Sequence, residues 1–192
     1  SGTVKVLNQW LAIGVGAGST GTYNISGGLL DTSAVGLEVG SDASGTLNLS
    51  GTGEVRAQNV AIGVRDGSAG VVNVSGGLLH SNDRITVGGD QSGGAGTANV
   101  SGGTVEAVTM IVGNGGAVGV ANISGGSVTA TNKVTVGASS PFQITNYATA
   151  DQVIAGGGPE QAFSFTANYT TSNTQDNGDA GGPFGLGVQV QG

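Results

Sequence analysis

Apolar and polar positions alternate in short blocks along this chain, and the blocks recur. In Gly21-Thr22-Tyr23-Asn24-Ile25-Ser26 the apolar side chains stand at Tyr23 and Ile25 with polar residues between them. Period-two alternation predicts a strand with one buried face. The block returns at residues 45–50, 70–75, 96–101 and 119–124, which gives two apolar columns, Tyr23/Leu47/Val72/Ala98/Ala121 and Ile25/Leu49/Val74/Val100/Ile123. A Gly-Gly corner follows in most units, where glycine permits the positive φ of a sharp bend. A second strand is expected around the column Val4, Leu30, Val55, Leu79, Val105 and Val128, with small residues two positions on at Thr32, Ala57, Ser81, Ala107 and Ala130. A third is expected at Leu11/Leu37/Val60/Ile85/Met110/Val134 and Ile13/Val39/Ile62/Val87/Val112/Val136. No window carries a 3.6-residue period, so helical repeats are excluded.

Two anchors fix the repeat length. The tetrapeptide Asn-(Ile/Leu/Val)-Ser-Gly begins at Asn24, Asn48, Asn73, Asn99 and Asn122, at spacings of 24, 25, 26 and 23. The glycine ending the third strand falls at Gly14, Gly40, Gly63, Gly88, Gly113 and Gly137, at spacings of 26, 23, 25, 25 and 24. One trio of strands cannot bury its apolar edge alone, but stacked copies can. The expected fold is all-β: a three-sided parallel β-solenoid of about 25 residues per turn and about five and a half turns, with a C-terminal β cap or extension. Residues 1–137 form the solenoid. Residues 138–192 lack the period, hold most of the aromatic residues, and alternate at residues 163–169 and 186–191, where further strands are expected to cover or extend the open end.

Composition narrows the class. Gly supplies 40 of 192 residues and Pro three, so collagen, which needs Gly at every third position and abundant Pro, is excluded. A hydrophobic fraction of 37% leaves apolar surface to bury, unlike a disordered linker. The net charge of −7 and five scattered basic residues provide no basic stripe for nucleic acid. No apolar run approaches the ~20 residues of a membrane span. Without cysteine there is no disulfide framework and no thiolate metal site.

With those residues in view, the pattern (Ile/Val)-Gly…Gly-Thr-x-x-(Ile/Val)-Ser-Gly-Gly-x-(Leu/Val) resembles the repeat shared by type V-secreted autotransporter passengers and PEP-CTERM-sorted exopolysaccharide-associated proteins. The resemblance covers about residues 1–137. It implies a surface or secreted β-solenoid and says little about chemistry. Within these 192 residues there is no translocator barrel and no Pro-Glu-Pro sorting helix.

Candidate chemistry is sparse. The Asn-x-Ser triplets at Asn24, Asn48, Asn73, Asn99 and Asn122 match the N-glycosylation sequon, but their outward alternation favours a ladder of amides hydrogen-bonded up the stack. The flanking Thr and Ser columns are interrupted by Val71 and Val120, which weakens an ice-ordering face. Asp42, Asp66 and Asp90, then Asn114, recur in the loops between turns and pose a calcium question; Asp in a Gly-rich turn ordinarily satisfies its own backbone. The outward column Lys5, Asp31, Arg56, His80, Glu106, Thr129 alternates in sign at first, as neighbours in a ladder should. His80 is the lone His and sits in that column. Arg84 beside Asp83 and near Asp90 is the one hint of converging charge. No catalytic residue, cofactor or metal is expected.

The two ends carry the functional expectation. Ser1-Gly2 aligns with Ser26-Gly27, so the chain opens inside a repeat with no polar cap before it. The absence of an initial Met suggests a processed secreted protein or a cut fragment, and the uncapped rung suggests a cut from a longer solenoid or completion by another subunit. The leading expectation is a non-catalytic extracellular structural protein that self-associates head to tail through Val4, Val6, Leu186, Val188 and Val190 into a filament or stalk. An adhesin segment binding a glycan or surface is the alternative, and a polysaccharide-acting enzyme the third.

Overall fold

The computed structural model describes residues 2–89, 93–115 and 117–137, together with the backbone of three short strands beyond them. Thirteen strands form one sheet that winds on itself: β1 (Thr3–Lys5), β2 (Leu11–Ile13), β3 (Thr20–Ile25), β4 (Leu29–Val39), β5 (Ser44–Leu49), β6 (Glu54–Ile62), β7 (Ala69–Ser81), β8 (Arg84–Val87), β9 (Ala95–Val112), β10 (Gly119–Val136), β11 (Pro141–Ile144), β12 (Val153–Ala155) and β13 (Tyr169–Thr170). All pairings are parallel except that of β13. This is a β-solenoid of about five complete turns, residues 20–136, with a partial rung at each end.

The register follows the sequence columns. On the first face Ile25 lies beside Leu49, then Val74, Val100 and Ile123. On the second, Val4, Leu30, Val55, Leu79, Val105 and Val128 stack in order. On the third, Leu11, Leu37, Val60, Ile85, Met110 and Val134 do the same. Apart from Val4, these side chains form one continuous apolar core or pack against it, with Leu30, Leu37, Leu47, Val55 and Ile62 among its fully buried members.

Three details refine the expectation. The three short strands per turn run together in β9 and β10, whose hydrogen bonding bends around the corners through register shifts such as Ile123/Gly125 and Ala130/Lys133. A bulge kinks a strand without ending it, so the Gly-Gly corners bend the ladder and leave it unbroken. The N-terminal alignment moves by one residue: Thr3 pairs with Leu29 and the Leu29 amide donates to the Gly2 carbonyl, which puts Gly2 beneath Gly28. Parallel stacking also outlasts the sequence motif. Past Gly137, β11 takes register with residues 121–123 and β12 with residues 128–130, both in β10. β13 then lies antiparallel across β11. The alternating segment at residues 186–191 is outside the described residues, as are residues 163–168.

Two glycine columns close each turn. Gly14, Gly40, Gly63, Gly88 and Gly113 have φ of +77°, +72°, +68°, +82° and +75°, a region that disfavours any side chain. Facing them stand Gly21, Gly45, Gly70, Gly96 and Gly119. A Cβ on any of these would fall 2.3–2.6 Å from the amide nitrogen of the loop glycine before it. The spacing of the repeat is therefore set where two backbones touch.

Candidate functional site

Alternation turns Asn24, Asn48, Asn73, Asn99 and Asn122 outward from β3, β5, β7, β9 and β10, and parallel register stacks them. Their carboxamides link into one chain. Asn48 Nδ2 donates to Asn24 Oδ1 at 2.7 Å, and Asn73, Asn99 and Asn122 each donate to the preceding Oδ1 at 2.8 Å. Every bond points the same way, from the later rung to the earlier. A planar amide with its oxygen toward Asn48 turns its nitrogen the other way, so Asn24 Nδ2 faces the first rung, where it has no acceptor among the described residues.

The second-face column is only partly paired. Lys5 meets Asp31 at 3.3 Å, and His80 Nδ1 meets Glu106 Oε2 at 3.0 Å. Arg56 turns along its own strand to Glu54 at 2.5 Å, leaving Asp31 to other partners. Asp31 accepts from the Ser33 hydroxyl and the Ser33 amide, and these bonds, with Lys5, hold its carboxyl below the usual carboxylate range.

A polar cluster not visible in the motif lies under the loops between turns. Glu38 is buried, yet its carboxylate accepts the Ser41 hydroxyl and lies 3.5 Å from Arg65 Nη1. Arg65 also donates to Ser41 Oγ at 2.6 Å and to Asp42 at 3.1 Å. A buried carboxylate persists only when paired in this way. The available signal was that Asp42 and Arg65 each stand two residues after a loop glycine, Gly40 and Gly63. Asp42 is thus tied to Arg65, Asp90 is outside the described residues, and among the described residues no three acidic or His side chains converge on a point.

The N-terminal end differs from the rest of the surface. Among the described residues six large hydrophobic side chains are exposed, and four of them, Val4, Leu7, Trp10 and Val15, belong to the first rung and the loop after it. Trp10 lies against the bare face of Gly36, where a Cβ would fall 2.2 Å from its ring. Sequence reading missed Leu7 and Trp10 because they lie in the corner between strands, outside the alternating blocks. Val4 is half exposed in β1, and the Val6 amide donates to the Asp31 carbonyl at 2.9 Å. Leu186, Val188 and Val190 are outside the described residues. β1 lies under the second face and β2 under the third, but no described strand lies under β3. There an open groove of about 320 Å³ runs past Val4, Tyr23, Asn24, Ile25 and Leu30.

Comparison with protein-family models, curated proteins and solved structures finds no match.

Proposed function

We propose that this chain is a non-catalytic structural protein whose copies stack head to tail, first rung against the C-terminal region of the next, into a filament or surface stalk. One observation carries the reading: the first rung leaves the edge of β3 unpaired over an open groove, and at another corner of the same rung Leu7 and Trp10 stand exposed. An unpaired edge over an open core is a template for another strand. A contact between two different ends is heterologous and does not close, so it propagates. No nucleic acid, membrane insertion or cofactor enters this reading. Extracellular placement rests on the resemblance of the repeat to surface and secreted solenoids.

Adhesion to a glycan is the second reading, favoured by the hydroxyl columns flanking the amides on the first face. The amides, however, are largely spent on one another, which leaves that face few free donors. Deleting residues 184–192 tests the leading reading. Negative-stain images should show filaments of the intact chain and dispersed monomers of the shortened one. Equal assembly of both would remove the tail as connector.

A further inference from the structure

The groove under β3 lies where the stack would place one more first-face strand, and its walls specify what fits. A parallel strand there must place apolar side chains beneath Tyr23 and Ile25, and an outward amide oxygen beneath Asn24 Nδ2. The end of the chain has that pattern. Aligning Gln189 with Asn24 sets Val188 beneath Tyr23 and Val190 beneath Ile25, and the six residues 186–191 cover positions 21–26. A Gln backbone in ladder register has a precedent at the other end, where Gln143 lies beside Asn122.

The alignment sets Leu186 in the column otherwise held by Gly21, Gly45, Gly70, Gly96 and Gly119. Those glycines are required because a Cβ would strike the loop glycine of the preceding turn. Beneath β3 no loop glycine stands among the described residues, so the contact that requires glycine in the other turns is not shown at that position. The route alone does not choose between copies: β13 lies on the last rung, far from the groove, but the fifteen residues 171–185 reach about 50 Å when extended, enough to run back along the roughly 30 Å stack to their own first rung. In a head-to-tail stack the next copy's groove is at the junction itself.

Resting on the head-to-tail reading above, we infer that residues 186–191 of one copy insert as a parallel donor strand under β3 of the next, with Gln189 accepting from Asn24 Nδ2 so that the receiving copy's amide ladder gains one rung from its neighbour.

The chain contains no cysteine, so introduced pairs report register cleanly. Directly opposed positions on neighbouring strands lie within disulfide reach. Full-length Asn24→Cys/Gln189→Cys, oxidised under assembly conditions, should give a ladder of covalent oligomers on a non-reducing gel. Mixing the two single variants should give the heterodimer. Thr22→Cys/Gly187→Cys tests the same register and serves if Asn24→Cys fails to fold. Asn24→Cys/Val188→Cys, with one cysteine out of register and facing the core, should link far less. Internally bridged monomer would show the tail filling its own groove and overturn the exchange between copies. No link in either in-register pair overturns the docking altogether; filaments still seen by negative stain would then leave the polymer standing on another contact, and their absence would sink both.

Discussion

Val4 and Val55 occupy the same column of the same repeat, yet Val4 is 50% exposed and Val55 0%. The strands around them have similar sequences and the same inward direction. What differs is the neighbour: Val55 has a rung on either side, and Val4 has one only. In a solenoid, burial belongs to the stack, and a residue acquires it from the turns above and below. The same residue type should therefore matter greatly in a middle rung and little in the first, until something covers the first rung.

The sharpest break of that comparison uses glycine. Gly45→Ala drives a Cβ to 2.3 Å from both the Gly40 nitrogen and the Ile13 oxygen, backbone atoms that cannot swing aside. Chemical unfolding should show a loss of about 3 kcal/mol or more. Gly2→Ala meets nothing within 4 Å and should stay within about 0.5 kcal/mol of the parent. Comparable losses would mean that the turns are not held by the glycine crossover.

Next in size is the valine pair. Val55→Ala should cost about 2 kcal/mol from lost burial and the cavity left behind. Val4→Ala should cost below about 0.5 kcal/mol in the monomer, while raising the concentration at which filaments form. Equal monomer losses would place a covering element over Val4 in the isolated chain.

The amide ladder offers a smaller contrast. Asn73→Ala removes two side-chain bonds, to Asn48 and from Asn99, and should cost about 1–2 kcal/mol. Asn24→Ala removes one and should cost about half as much, with a separate penalty to assembly.

The smallest effect is the pH response of Asp31. Its carboxyl is held below the ordinary value of 3.8, first by Ser33 and then by Lys5. A carboxylate whose pKa is lower in the folded chain than in the unfolded one stabilises the fold above the unfolded value, and loses that contribution as pH falls through the folded one. Ser33→Ala should move the Asp31 titration, followed by carboxyl NMR, upward toward its ordinary range and weaken the acid-linked loss. An unmoved titration would assign the shift to the Ser33 amide, which alanine keeps, together with Lys5.

Much of this architecture was legible in the chain because its two strongest determinants are local. Period-two alternation assigns faces, and paired glycines mark where each turn must close, so the columns from Ile25 to Ile123 and from Leu11 to Val134 could be written down in register. Features set by side-chain choice among neighbours were not legible. Arg56 selects Glu54 on its own strand over Asp31 one rung away. Glu38, outward by alternation, is buried because the loops between turns fold over the third face and deliver Ser41 and Arg65 to it. Trp10 settles on Gly36 across a corner that no repeat position announces. At the candidate site, the amide ladder and the open first rung both followed from repeat spacing, whereas the groove that Val4, Tyr23, Ile25 and Leu30 line under β3 appeared only in three dimensions.

The central claim is that one copy's first rung is covered by the next copy's C-terminal end, and cryo-electron microscopy of the full-length chain at assembling concentrations measures it directly. Seven stacked layers, from β1 to β12, give an axial rise of about 30–35 Å per subunit. The account predicts unbranched filaments with that rise, the ~4.8 Å strand spacing running unbroken through each junction, and density for an added strand under β3. Filaments joined side to side with β3 exposed, or a chain that stays monomeric at every concentration, would contradict it.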